Sequence, residues 1–250
     1  MITIDLTGRN ALITGGTRGI GRAISHRLAE AGASTAAVYR ADEPAARQSL
    51  VERQALDLGT HHNYQADLAD PAQIGTLTER VLADFGGRLD LLILNSAAGA
   101  GGKVTDIDPA EWQRALDVNL TANFLLTRAL VPHMPRGGSI VAIASGAGHD
   151  PIPGLAGYGA TKAGLILFMQ DLAQDVGPDG IRANVVSPGA TDTGFGLRPA
   201  TEQDRPRANP NAALRRVGVP DDVARVVLFL CSDLAAFVTG QALRVNGGIV

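Results

Sequence analysis

Cysteine, lysine and tyrosine are scarce in this chain. The single Cys231 excludes an intrachain disulfide and any metal site built from several thiolates. Positive charge is not in excess either: 22 basic side chains stand against 25 acidic ones. That balance argues against a duplex-DNA binder, which concentrates strong positive charge. No stretch approaches the roughly 18 uninterrupted apolar residues of a membrane span; the longest runs are as short as Val226 to Cys231. Met1 to Asp5 lack the basic segment and apolar run of a signal peptide. A cytoplasmic protein is therefore expected, with no membrane partner, no nucleic-acid partner and no metal. Lysine occurs only at Lys103 and Lys162, among 22 basic residues. The arginine surplus reads as background. Lysine and arginine differ chemically, so the positions where lysine persists merit inspection.

What is present is an apolar rhythm. Of 250 residues, 45% are hydrophobic, enough for a sizeable core. Short apolar runs alternate with longer amphipathic segments: strands at Ala11 to Ile13, Thr35 to Tyr39, Asn63 to Ala66, Leu89 to Leu94, Ser139 to Ala144, Arg182 to Val186 and Ala242 to Val245. Asp42, Asp70-Pro71 and Asp108-Pro109 mark helix starts, the last opening a long helix towards Val131. Further helices run from about Gly21 to Ala31, from Leu155 to Val176 and from Pro220 to Leu230. Continuous apolar strands separated by helices imply an α/β fold with a parallel sheet covered on both faces. With right-handed crossovers this is a Rossmann-like, doubly wound sheet of about seven strands in a single domain, residues 1–250. The irregular segment 189–211, rich in Pro, Gly and polar residues, is expected to be a substrate-binding lid.

The first strand runs into Thr14-Gly15-Gly16-Thr17-Arg18-Gly19-Ile20-Gly21. Glycines permit a tight turn and close backbone approach to a pyrophosphate, while the next helix offers unpaired N–H groups and a positive dipole end. A Gly-rich turn alone is weak, but its place between strand and helix favours a nucleotide. After the second strand an acidic residue would bind the adenosine ribose of NAD, and arginine the extra phosphate of NADP. Arg40 stands there, with Arg18 in the turn, so NADP(H) is expected; Asp42 can pair with Arg40 or cap the next helix.

Of three tyrosines, only Tyr158 has a lysine four residues later, Lys162, which places both on one helical face. An ammonium near a phenol favours phenolate and lowers its pKa, so a tuned Tyr158 can give a proton to a carbonyl oxygen as hydride reaches the carbon. Ser145 follows a strand at the carboxyl edge, where such sheets bind ligands, and its hydroxyl can hold the substrate oxygen.

Taken together, the Gly-rich turn, Asn95-Ser96-Ala97-Ala98-Gly99, Asn119, Ser145, Tyr158-Gly159-Ala160-Thr161-Lys162 and Pro188-Gly189 resemble the short-chain dehydrogenase/reductase family over essentially the whole chain. The resemblance implies Tyr158 as proton donor or acceptor, and Lys162 lowering its pKa and holding the nicotinamide ribose. It implies Ser145 polarising the carbonyl and Asn119 holding a water that links Lys162 to a proton relay. It extends to Gly15, Thr17, Arg18, Gly19, Ile20, Gly21 and Arg40 around the phosphates. Asp67 and Leu68 would lie at the adenine, Asn95 and Ala97 at its ribose, and Pro188, Gly189, Thr191 and Thr193 at the nicotinamide carboxamide. The family more often has two Asn where this chain has Asn95-Ser96. Within the family the chain looks like 3-oxoacyl-thioester reductases and polyketide ketone reductases, which act on small-molecule carbonyl or alcohol substrates. A dimer or tetramer is the family's expectation. Competing readings are a dehydratase or epimerase of the same fold, and a non-catalytic NADP-binding sensor. A serine hydrolase is excluded, because Ile143-Ala144-Ser145-Gly146-Ala147 is not its Gly-x-Ser-x-Gly elbow. His149 and Asp150 then read as a local loop, and His61-His62 as surface.

Overall fold

The structure, a computed structural model, describes residues 3–193 and 209–249. Seven parallel strands form one sheet in the order β3-β2-β1-β4-β5-β6-β7. They are β1 (Asn10–Thr14), β2 (Ser34–Tyr39), β3 (His61–Gln65), β4 (Leu91–Leu94), β5 (Ser139–Ile143), β6 (Arg182–Pro188) and β7 (Ala242–Val245). The helices are α1 (Gly19–Glu30), α2 (Glu43–Gln54), α3 (Pro71–Asp84), α4 (Pro109–Leu116), α5 (Ala122–Leu130), α6 (Ala156–Val176) and α7 (Pro220–Cys231). The doubly wound expectation holds.

Alternation along the central strands explains their continuous apolar runs. Ile140, Ala142 and Ala144 face the core under α3, α5 and α6, whereas Val141 and Ile143 face the core under α1 and α7. The expected Asp caps are in place: Asp42 accepts from Ala45 N–H (3.2 Å), Asp70 from Ala72 (2.9 Å) and Asp108 from Ala110 (2.8 Å). Strand order reverses between β1 and β4, and the carboxyl edge at such a switch point is where ligands bind in doubly wound sheets.

Three expectations are corrected. The long helix from Asp108 is interrupted by a π-turn at Asp117–Thr121, where Ala122 N–H reaches back to Asp117 C=O, and Asn119 within it bonds Thr161 of α6. His61 is buried, not surface: its Nδ1 meets Thr35 Oγ1 at 2.9 Å beneath α2, beside the buried Arg53. The partner of Asp42 is Arg18, not Arg40. Of the expected lid 189–211, residues 194–208 lie outside the described residues. Among the described residues no helix is long and apolar enough to cross a membrane. Cys231 is buried, which pushes its thiol up to about 12 and leaves it unreactive at neutral pH.

Candidate active site

The Gly-rich turn is stitched to β4. Thr14 Oγ1 accepts from the N–H groups of Asn95 (2.8 Å) and Ser96 (3.0 Å), and Asn95 Nδ2 donates to Thr14 C=O (2.9 Å) and Gly15 C=O (3.2 Å). A Cβ on Gly21 would lie 2.0 Å from Gly15 O, so only glycine lets α1 start this close to the turn. The first turn of α1 has no capping side chain and no acidic residue, unlike α2 and α4, which have both. Its N–H groups and dipole end therefore fit the pyrophosphate of a dinucleotide. Thr17 is buried below the turn and Ile20 half-buried beside it.

Arg18 and Arg40 stand exposed beside the end of β2. Arg18 lies 3.7 Å from Asp42, an exposed pair weak enough to exchange for a phosphate. Asp67 is held by Arg114, whose Nη2 donates to both carboxylate oxygens at 3.0 Å, and by the N–H of Ala69. These donors hold the Asp67 carboxyl below its usual range despite its partial burial. Leu68 is buried in the core, so its backbone alone can face a ligand. Ala97 is half-buried on the segment that leads from Asn95 to Ala98.

The candidate reactive groups come from the turn after β5 and from α6. Ser145 Oγ accepts from Ala147 N–H (3.2 Å), shaping the turn after β5, and lies close enough to the Tyr158 phenol to favour its ionised form. Two glycines let this turn press on α6: a Cβ on Gly148 would be 2.8 Å from the Lys162 carbonyl carbon, and one on Gly159 2.7 Å from Ala147 O. Lys162 is 1% exposed, lies 5.7 Å from the Tyr158 ring centre and donates to Ile143 C=O at 2.8 Å. Burial pushes its ammonium down to about 8. Burial is the largest influence on the Tyr158 phenol and raises it, and the Ser145 hydroxyl pulls the other way.

Asn119 sits in the π-turn, 0% exposed. Its side chain accepts from Ala98 N–H (2.7 Å) and donates to Ala98 C=O and to Thr161 Oγ1 (2.9 Å each). Thr161 in turn donates to Tyr158 C=O (2.8 Å). Both amide hydrogens of Asn119 are thus used, and Asn123 Nδ2 donates to its main-chain carbonyl at 2.7 Å. On β6, Pro188 ends the strand and Gly189 packs on Asn246, within 2.8 Å of an added Cβ. Thr191 Oγ1 donates to Gly189 C=O (3.0 Å), and Thr193 lies over Gly19, bringing this segment to the Gly-rich turn. Lys103 is exposed in the loop after β4. Sequence reasoning missed Thr14, Arg114 and Thr161. Thr14 had a local signal, a hydroxyl just before the glycines; Arg114 had none, because its partner is 47 residues away.

The chain matches a family model described as Enoyl-(Acyl carrier protein) reductase over residues 15–250. It is 35% identical over 249 residues to a 3-oxoacyl-(acyl-carrier-protein) reductase of Aquifex aeolicus, covering 98% of this chain and 99% of the relative. A cyclohexanol dehydrogenase of a Rhodococcus species is 33% identical over 264 residues, with coverage of 98% and 97%. Among solved structures, a short chain dehydrogenase from Burkholderia cenocepacia in complex with NADP superimposes with a TM-score of 0.90 at 36% identity, covering 98% of each chain. A blue fluorescent protein from a metagenomic library in complex with NADPH gives 0.90 at 33% identity, covering 98% of this chain and 99% of that one.

Proposed function

The chain belongs to the short-chain dehydrogenase/reductase family, and from that premise we propose an NADP(H)-dependent oxidoreductase that reduces a small-molecule ketone to a secondary alcohol. The observation that carries this reading is the meeting of Ser145, Tyr158 and Lys162 beside an α1 start that has no cap of its own. NADPH, when bound, supplies the hydride. Ser145 Oγ holds the carbonyl oxygen, and the Tyr158 phenol gives that oxygen its proton. Lys162, with one ammonium hydrogen on Ile143, keeps two for the nicotinamide ribose and the phenol. Asn119 fixes the loop after β4 and, through Thr161, the first turn of α6.

The cofactor contacts proposed are Gly15, Thr17, Arg18, Gly19, Ile20 and Gly21 at the phosphates, with Arg40 at the extra one. Asp67, Leu68, Asn95 and Ala97 face the adenosine, and Pro188, Gly189, Thr191 and Thr193 the nicotinamide. Residues 1–250 act as one domain, in the cytoplasm and as a homo-oligomer. Exposed Phe124 on α5 and Leu167 on α6 support association through these helices.

The test is NADPH oxidation by the purified chain with a panel of ketones, 3-oxoacyl thioesters and cyclohexanone among them. Turnover that follows the carbonyl supports the reading. Tight NADPH binding with no turnover would move it to a sensor. Cofactor choice is read separately: Arg40→Asp is expected to raise the NADPH Kd about thirtyfold and the NADH Kd less than about threefold, because only the former loses a charge-assisted contact. Equal weakening of both would remove Arg40 from the phosphate.

A further inference from the structure

The turn that carries Ser145 is tied to the sheet by a side chain outside the reactive set. His149 Nε2 lies 2.8 Å from Ser187 Oγ. Ser187 is on β6, 0% exposed, immediately before Pro188, and its hydroxyl meets the His149 ring. The next residue repeats the tie: Asp150 accepts from Arg244 Nη1 and Nη2 at 2.8 and 3.2 Å. Arg244 on β7 is the ladder partner of Ser187, so both ties land on neighbouring positions of the sheet. On its other side the turn meets α6 through Gly148, which has no side chain to lock it in register. Within the turn itself, Gly148 N–H bonds Ser145 C=O at 3.0 Å, and His149 N–H bonds Gly146 C=O at 2.9 Å. A displacement of His149 is thus carried by short backbone links to Ser145.

We propose that His149 is a positioning residue: by bonding Ser187 it holds the Ser145 hydroxyl in register with Tyr158 and with the Pro188-Gly189 segment. The bond commits Nε2 to Ser187, so in this proposal His149 acts through Ser145 and is not itself a proton donor to the substrate. Its consequence for turnover rests on the reductase reading; the tie itself does not.

Two measurements on the full chain separate these levels. In hydrogen-exchange mass spectrometry, His149→Leu and Ser187→Ala are each expected to speed exchange across residues 145–150 about tenfold, since each removes the tie. His149→Gln, whose terminal amide offers both a donor and an acceptor near the Nε2 position, is expected to stay near the parent chain. In NADPH-dependent turnover, His149→Leu is expected to lower kcat about tenfold, with the ketone KM and NADPH Kd within about twofold, and His149→Gln to restore it. Unchanged exchange in His149→Leu would overturn the tie. Faster exchange with unaltered kcat, or a kcat loss that Gln does not rescue, would overturn the positioning role. If the parent chain reduces no ketone, the reductase reading falls, and the exchange comparison still decides whether His149 holds the turn.

Discussion

Tyr158→Phe is expected to lower kcat/KM for ketone reduction about a thousandfold while the NADPH Kd changes less than about threefold. The ring that packs at the start of α6 is retained, and only the hydroxyl beside Ser145 is lost. Phenylalanine has no proton to give, so the alkoxide must take one from water without the positioned acid. The pH dependence follows from the direction of the phenol's shift. Burial raises it above 10.0, so the acid is loaded throughout the neutral range. Reduction is then expected to be level with pH up to about 8 and to fall above it, first as the Lys162 ammonium is lost and then as the phenol loses its proton. Alcohol oxidation needs phenolate as base and should climb with pH over the same range. Initial rates in both directions from about pH 6 to about pH 10 check this. A reduction rate that falls through neutrality would assign the proton to another group, and retained turnover in Tyr158→Phe would sink the acid role outright.

That shift marks where sequence reasoning stopped. The four-residue spacing of Tyr158 and Lys162 places both on one face of α6, and the placement was correct because helical period is local. Their electrostatics were not legible, because burial belongs to the whole fold. Gly157, Gly159 and Gly148 let neighbouring segments pack closely on this part of α6, and burial is the largest influence on both the phenol and the ammonium. The same division separates the Asp-Pro helix starts, read from adjacent residues, from the Asp67–Arg114 and His149–Ser187 contacts, which join residues 47 and 38 apart. The π-turn falls between these cases. Asp117 to Thr121 carries no breaker, and the wide turn pays off only through bonds from Asn119 to Ala98 and Thr161. His61 was misplaced for a similar reason: two adjacent histidines look solvated until α2 lies over the first of them.

Lys162→Met is expected to separate stability from activity. The ammonium is fully enclosed, and its pKa falls from 10.5 to about 8, so folding disfavours the charged form. A base with a lowered folded-state pKa costs stability wherever the unfolded chain holds the extra proton. The cost is absent above the unfolded value, grows as pH falls, and is complete below about 8. At neutral pH it is on the order of 3 kcal/mol. Methionine fills similar volume without charge and removes that cost. It also leaves Ile143 C=O without the donor at 2.8 Å, an opposing loss of about 1 kcal/mol. The net gain of about 2 kcal/mol corresponds to a Tm about 5 °C higher for a chain of this size. The advantage should shrink as the pH of the melt is raised from 8 towards 10.5, because the parent lysine then loses its proton in the folded chain as well. Turnover should fall about a thousandfold, since no other ammonium reaches the phenol and the nicotinamide ribose. Melting curves of both chains without cofactor, run at neutral and alkaline pH beside NADPH turnover, test the whole argument. A lower Tm at neutral pH would show that the buried ammonium is a net structural support, and retained turnover would remove it from the reaction.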